Sequence, residues 1–567
     1  MPDVIARTEA TMLDRLITRV VPPTSVSPSS ARTERIVFAF VVTTFLLYAG
    51  LFIYRTSFVV AGERYFSLFD DAMVSMRYAM NLANGYGLVW NPGGERVEGF
   101  TNPLWVLYMT LVHLLPIPQS KTSLLIQVTA AILLALNLYY VRRIALAVSN
   151  GSAAVAWGAI ALTASYLPIN NWGLQGMEVS VLVLLTSACI WLAIRCMETG
   201  AIQIRLYLLL GIGTLVRPDM VVPFGAILLF LLVFDPVRRR THLTWGVLVL
   251  VVAVASQTIF RLWYYGDVLP NTYYLKMEGV PFLLRISRGL YVLARFVLQA
   301  NVLFFALAFA LAARRDRRTW LLLWMLIAQM AYSVYVGGDA WEHWGGSNRY
   351  ICIAMPGFFV LLSFALYVVT SALVDAAHAD APRAVSVATR RGAAFALVIA
   401  AAIVTVNSIY GPGALAEALL IRAPYHTGNG DRNHRDVEAA LQLRRVTTPD
   451  ATLAVARAGT IPYFADRPGV DLMGKSDPYV AREQARMSAG RRRFVEFRPG
   501  HMKFDYAHSI GRLQPDVVVQ LWTNVEEATP FLQDDYQGLV MSSWCMYWRR
   551  GSPHVWWDRL SPQSCED

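Results

Sequence analysis

Charge is scarce in this sequence of 567 residues: Asp, Glu, Lys and Arg make up 16%, against 56% hydrophobic residues and a mean hydropathy of +0.42. Such a composition excludes intrinsic disorder and argues against a single soluble enzyme. Cysteine is scarcer still, five residues in all, which excludes a small disulfide scaffold. Glycine and proline, 37 and 27 residues, are too few for a collagen-like fibre. Acidic residues are in deficit, 39 Asp+Glu against 50 Lys+Arg, for a formal charge of +11. In a soluble chain that excess would suggest nucleic acid. Here it falls mostly into short arginine clusters between apolar runs, the positive-inside signature of a membrane protein, and no nucleic-acid partner is expected.

What is abundant is apolar sequence long enough to cross a bilayer. Residues 1–35 carry Arg7, Arg15, Arg19, Arg32 and Arg35 without a cleavable signal pattern, and are expected in the cytoplasm. Apolar runs follow at Ile36–Tyr54, Leu124–Val141, Ala153–Leu167, Val179–Ile194, Leu206–Leu215, Met220–Phe234, Leu243–Trp263, Leu290–Ala312, Trp320–Val336, Ile351–Leu373 and Ala393–Ile409. Pro103–Leu115 is apolar too, but at about 13 residues it is short for a crossing. If it re-enters or lies along the membrane, Arg142/Arg143, Arg195/Arg205, Arg238–Arg240, Arg314–Arg318 and Arg383/Arg390/Arg391 all fall inside. The expectation is an α-helical polytopic protein of about eleven spans over residues 36–409, with residues 410–567 as a soluble α/β domain outside the cell.

With that topology the unusual polar residues gather on the outer side. The first loop, 61–103, carries Phe69-Asp70-Asp71, Arg77-Tyr78 and Asn91-Pro92-Gly93-Gly94-Glu95-Arg96-Val97-Glu98-Gly99-Phe100-Thr101-Asn102-Pro103. Ala72, Met73, Met76, Ala79, Met80 and Ala83 recur at helical spacing, so the Asp pair opens an interfacial amphipathic helix. A carboxylate there serves either as a helix cap or as a base. Two adjacent ones suit a division of labour, one taking a proton and the other holding a positive group or a divalent cation. Arg217-Pro218-Asp219 interrupts an apolar stretch, as a snorkelling turn or a functional ion pair. Lys276, after Asn271, and Arg349, after Gly337-Gly338-Asp339, are candidate ligands for an anionic lipid phosphate. Glu342-His343 has no second ligand at metal spacing and is expected in a solvated loop.

These residues carry a resemblance. The Asp-Asp pair, the Arg77-Tyr78 stretch and the Val97-Glu98-Gly99 ending are similar to bacterial polytopic glycosyltransferases of the GT-C superfamily. The pattern is nearest the group around the mycobacterial terminal β-(1→2) arabinofuranosyltransferase. Gly176-Met177-Glu178, Leu215–Asp219, Tyr265–Thr272 with its Asp267, and Gly337–Asp339 agree with the broader group, as do Ile461-Pro462-Tyr463, Asp471–Gly474 and Pro499–Lys503. Where those arabinofuranosyltransferases read V-E-A-N-T, this chain reads Val97-Glu98-Gly99-Phe100-Thr101.

The resemblance implies an enzyme of the bacterial plasma membrane, active at the outer face. It would move a sugar, arabinofuranose by analogy, from a polyprenyl-phosphate donor to an envelope glycan or glycolipid. Asp70 would be the general base and Asp71 would orient the acceptor. Arg217, Lys276 and Arg349 would hold the donor phosphate, and Arg77, Glu98, Glu178, Asp219, Asp267, Asn271 and Asp339 would line the substrate site. His501 and Lys503 of the tail are read either as reaching a phosphate or as surface loop. Cys545 and Cys565 lie in the oxidising compartment and are expected to pair. Cys189, Cys196 and Cys352, in or near spans, are read as packing. The rival readings are a transporter of lipid-linked sugars and a non-catalytic envelope assembly protein. A transporter would place its polar residues near the midplane instead of at one face.

Overall fold

The computed structural model describes residues 28–342, 348–377, 386–408, 429–487, 493–542, 544–560 and 565. The expectations for Arg7, Arg15, Arg19, His343 and Arg383 lie outside them.

Among the described residues, seven helices are each long and apolar enough to cross a membrane: Arg32–Thr56, Gln119–Val148, Val179–Thr199, Pro236–Tyr264, Arg317–Val336, Met355–Ala377 and Val387–Asn407. Two further runs are bent pairs, Ala153–Ala164 with Leu167–Leu174 and Phe282–Gln299 with Val302–Arg314. Ile204–Val216 and Pro218–Phe234 are shorter apolar helices. The eleven apolar runs are therefore all helical, but four are not single full-length spans. In the most apolar 18-residue stretch of Val179–Thr199 and of Met355–Ala377, 72% of the residues are buried and these helices form the centre, whereas in Pro236–Tyr264 the share is 11% and its leucines and valines face the surroundings.

The arginine clusters meet at one end of the bundle. Arg142 pairs with Glu34, Arg314 donates to the Val148 carbonyl and Arg318 to Asn150, and Arg317 donates to the Phe234 carbonyl. The Pro103–His113 helix instead begins and ends at the opposite end. Asn102 before it donates to Glu178, and His113 at its end meets the Tyr463 hydroxyl of the C-terminal domain. It does not traverse the bundle, which is the geometry the arginine parity requires.

One span is corrected. Leu290–Ala312 is not a single crossing, because the chain turns by 88° between Phe282–Gln299 and Val302–Arg314. Arg285 and Arg288 face inward on the first helix, with Arg288 donating to the Phe497 carbonyl, while Phe282, Leu283, Leu290 and Leu298 are exposed. Such a two-faced helix has the residue pattern of one lying along a membrane boundary. The Asp70–Ala83 helix is corrected in the other direction. Its residues from Asp70 to Asn81 are nearly all buried, because the C-terminal domain covers the face expected to meet the interface.

Among the described residues that domain opens with the helix Asn429–Val446 and contains a five-stranded sheet in the order β2 (Gly469–Asp471), β1 (Leu453–Val455), β3 (Val517–Val518), β5 (Trp544–Arg549), β4 (Tyr536–Met541). β1 pairs in parallel with β2 and β3, and β5 pairs antiparallel with β3 and β4. The first loop clamps the domain's edge. Asn91 exchanges two hydrogen bonds with the Gly469 backbone, and the Trp90 indole donates to the Ala458 carbonyl. Cys545 and Cys565 form a disulfide, and Cys189, Cys196 and Cys352 are buried and form no disulfide among the described residues. Closing that loop should stabilise the domain by about 3 kcal/mol. Cys565→Ser is therefore expected to lower the denaturant midpoint of the domain, and an unchanged midpoint would show the bridge to be dispensable.

Orientation is testable at two exposed valines. Val237 lies in the arginine end and is 90% exposed, and Val525 lies in the C-terminal domain and is 52% exposed. In intact spheroplasts a membrane-impermeant thiol reagent is expected to label Val525→Cys and spare Val237→Cys until the cells are permeabilised. The opposite pattern would invert the topology.

Candidate active site

Beneath the C-terminal domain, at the end of the bundle away from the arginine clusters, lies a small, partly open cavity of about 60 Å³. Asp71, Glu178, Arg217, Lys276, Asp339, Arg349 and His501 line it, together with Lys475. Side chains from seven separate stretches of sequence converge there.

The two first-loop carboxylates part company. Asp70 is buried and turned away from the cavity, its Oδ1 accepting the Thr460 N–H at 2.9 Å. Gly459 makes this approach feasible, since a Cβ there would lie 2.1 Å from the Asp70 carbonyl oxygen. Asp70 thus anchors the C-terminal domain and, unlike Asp71, does not line the cavity. Asp71 faces the cavity, its Oδ1 paired with Lys475 Nζ and its Oδ2 3.3 Å from an Arg349 guanidinium nitrogen. Burial alone would raise its pKa, but Lys475 and Arg349 outweigh burial and hold the carboxyl well below the usual range. Adjacent residues on a helix point about 100° apart, which is why one faces the cavity and the other its lid.

The cations divide in the same way. Arg217 is saturated by Glu178 and by Asp219, whose oxygens lie 2.9 and 2.7 Å from its Nε. Arg349 grips Asp339 through Nε and a terminal nitrogen at 2.7 and 2.9 Å. Lys276, in the short helix Asn271–Met277, makes no ion pair among the described residues. Burial first, then the positive charges of Arg217 and Arg349, push its pKa down to about 8. Gly500, at φ +78°, lets the Pro499–His501 turn lie against it, where a Cβ would come within 3.3 Å of Lys276 Cγ. His501 is lowered to about 4 by burial and by Lys475, so it stands in the cavity as a neutral ring.

Six expected substrate residues do other work. Arg77 is buried, bonded to the Trp90 carbonyl, to Asp466 and to the Arg467 carbonyl, and so ties the loop to the domain. Glu98 is paired with Arg261 at 2.6 Å. Asp219 serves Arg217. Asp267 pairs with Arg482 at 2.9 Å and is partly exposed. The Asn271 amide donates to the Gly474 and Lys475 carbonyls, both at 2.9 Å, and so positions the Lys475 turn. Lys503 is buried with its ammonium on the Tyr274 and Ala481 carbonyls, and it does not reach the cavity. Lys475 is the residue that sequence reasoning did not find. Its only signal is its place after Asp471-Leu472-Met473-Gly474, a stretch similar to the broader group. No cluster of three or more His, Cys, Asp or Glu that could hold a metal ion occurs among the described residues.

Comparison with known proteins places this architecture. Over 93% of this chain and 99% of the other, it superposes on ArnT from Cupriavidus metallidurans bound to undecaprenyl phosphate, with a TM-score of 0.55 and 13% identity. The apo state of the same protein gives 0.52 at 14% identity, over 94% of this chain and 100% of the other. The Archaeoglobus fulgidus oligosaccharyltransferase tethered to an acceptor peptide gives 0.51 at 12% identity, over 90% of this chain and 74% of that one. The chain is thus a multi-pass membrane protein with the GT-C fold. Residues 425–557 match a family described as a domain of unknown function, DUF8728, and no curated protein matches.

Proposed function

We propose that the protein is a membrane glycosyltransferase that uses a polyprenyl-phosphate sugar and works at the outer face of the plasma membrane. One observation carries this reading: one cavity at one end of the bundle holds both an ionised carboxylate, Asp71, and a cation that makes no ion pair among the described residues, Lys276. A phosphate is the complement of such a cation, and the undecaprenyl phosphate bound by ArnT supports a lipid carrier as its source.

Lys276 and Arg349 hold the donor phosphate, and Arg217 contributes field more than contact, since Glu178 and Asp219 already engage it. The acceptor hydroxyl oxygen attacks the anomeric carbon while its proton passes to Asp71. The bond from that carbon to the phosphate oxygen breaks with both electrons leaving on the phosphate. The leaving group departs ionised, so no strong general acid is required, and one displacement inverts the anomeric centre. The resemblance of the first loop makes arabinofuranose the sugar to try first, with an envelope glycan or glycolipid as acceptor.

Purified protein incubated with a panel of polyprenyl-phosphate sugars, decaprenylphosphoryl arabinose included, is expected to release lipid phosphate from at least one of them when an envelope glycan extract is present. Flipping of the intact lipid across proteoliposomes without sugar transfer would replace this reading by the transporter.

A further inference from the structure

The cavity contains one pairing that the proposed chemistry has to undo. A carboxylate acting as base loses proton affinity to every cation paired with it, and both Asp71 oxygens carry one, Oδ1 from Lys475 and Oδ2 from Arg349. Arg349 cannot follow an incoming ligand far, because Asp339 holds two of its nitrogens and Trp172 lies under its guanidinium, 5.0 Å away. Lys475 is differently placed. It pairs with no other carboxylate among the described residues, and its ammonium rides on a flexible four-carbon stem.

The backbone beneath Lys475 is fixed. Asn271 holds the Gly474 and Lys475 carbonyls, and Asp471 accepts the Met473 and Ser476 N–H groups at 3.0 and 2.7 Å. The side chain can therefore swing without the turn moving. Lys276, Arg217 and Arg349 line the same cavity, so the place where a phosphate would settle and the place where Lys475 now rests share one enclosure.

We propose that Lys475 links donor arrival to release of the base: its ammonium leaves Asp71 for the donor phosphate, and the freed carboxylate then accepts the proton of the acceptor hydroxyl. This rests on the glycosyltransferase reading above. It makes the C-terminal domain a contributor of substrate-binding charge as well as a cover. It also orders the reaction, since an acceptor that arrives before the donor meets a base still capped by lysine. The exchange forms and breaks only ion pairs. The covalent step that follows is the single displacement already described.

A double-mutant cycle on binding tests the exchange, because two residues that share one partner have coupled effects. The full chain in nanodiscs is titrated with undecaprenyl phosphate in four forms: wild type, Asp71→Asn, Lys475→Met and the double variant. Asp71→Asn replaces the charged competitor for Lys475 by a weaker, neutral acceptor and is expected to tighten binding by about 10-fold, and Lys475→Met to weaken it by about 10-fold. In the Lys475→Met background Asp71→Asn should no longer tighten binding. An affinity unchanged in Asp71→Asn, or an equal tightening in both backgrounds, would overturn the proposal, the second result meaning that Asp71 acts only through space. If Lys475→Met does not fold, Lys475→Gln carries the same cycle. A wild type that binds no undecaprenyl phosphate would instead sink the underlying reading, an outcome distinct from binding with additive effects.

Discussion

Asp71→Asn is expected to lower turnover by about 10²–10⁴-fold, the usual contribution of a general base, with the fold intact. Asparagine keeps the size of the side chain and an oxygen that can accept from Lys475 or Arg349, so the contacts that position the residue survive. What is lost is basicity. The neighbouring variant should behave differently. Asp70→Asn keeps an oxygen for the Thr460 N–H and should leave turnover within a few-fold of wild type. Asp70→Ala strands that buried N–H, at a cost of about 1–3 kcal/mol, and should loosen the C-terminal domain. Turnover and thermal stability measured for the three variants together separate the roles. Near-normal turnover in Asp71→Asn with a collapse in Asp70→Asn would return the base to Asp70.

Lys276→Met should weaken binding of a polyprenyl phosphate by about 10–100-fold, the worth of one charge-assisted hydrogen bond. The same change should not lower stability, because it replaces a buried ammonium without an ion-pair partner by an apolar side chain of similar length. Few substitutions of a buried charge have that combination of effects. Arg217→Met is its contrast: it leaves Glu178 and Asp219 without their shared cation and should destabilise the fold before any effect on affinity can be read. The pH dependence has a definite sign. With its pKa lowered to about 8, Lys276 in the empty site is charged below that value and loses its proton as pH rises through it. Affinity for the phosphate should therefore fall between pH 7 and pH 9. Stability should move the other way. The unfolded chain binds the proton up to about pH 10.4, so the penalty of burying the ammonium is full below pH 8 and lifts between the two values. Isothermal titration at three pH values reads the first effect, and melting curves read the second.

The spans and the polar site were legible in the sequence for different reasons. An apolar run of bilayer length is a local property, and seven of the eleven expected runs are single helices long enough to cross a membrane. Phe282–Gln299 was not legible as a boundary helix, because its leucines count toward hydropathy while the inward direction of Arg285 and Arg288 depends on a domain 200 residues away. The same holds within the site. That Asp70 and Asp71 belong to it follows from a charged pair heading an apolar helix, but which of them faces the cavity is set by Gly459 and Thr460, some 390 residues on. Lys276 and Lys503 look alike in sequence. One stands in the cavity with no ion pair among the described residues, and the other is spent on backbone carbonyls. Motifs located the neighbourhood, and tertiary partners assigned the roles.

The most direct measurement is a structure of the protein with undecaprenyl phosphate bound, determined in nanodiscs. The phosphate is expected within hydrogen-bonding distance of Lys276 Nζ and Arg349, on the cavity side of Asp71, with the prenyl chain leaving toward the apolar surface of the bundle. A phosphate bound at the arginine end, near Arg239 and Arg317, with the cavity unchanged, would contradict the assignment of this cavity as the donor site.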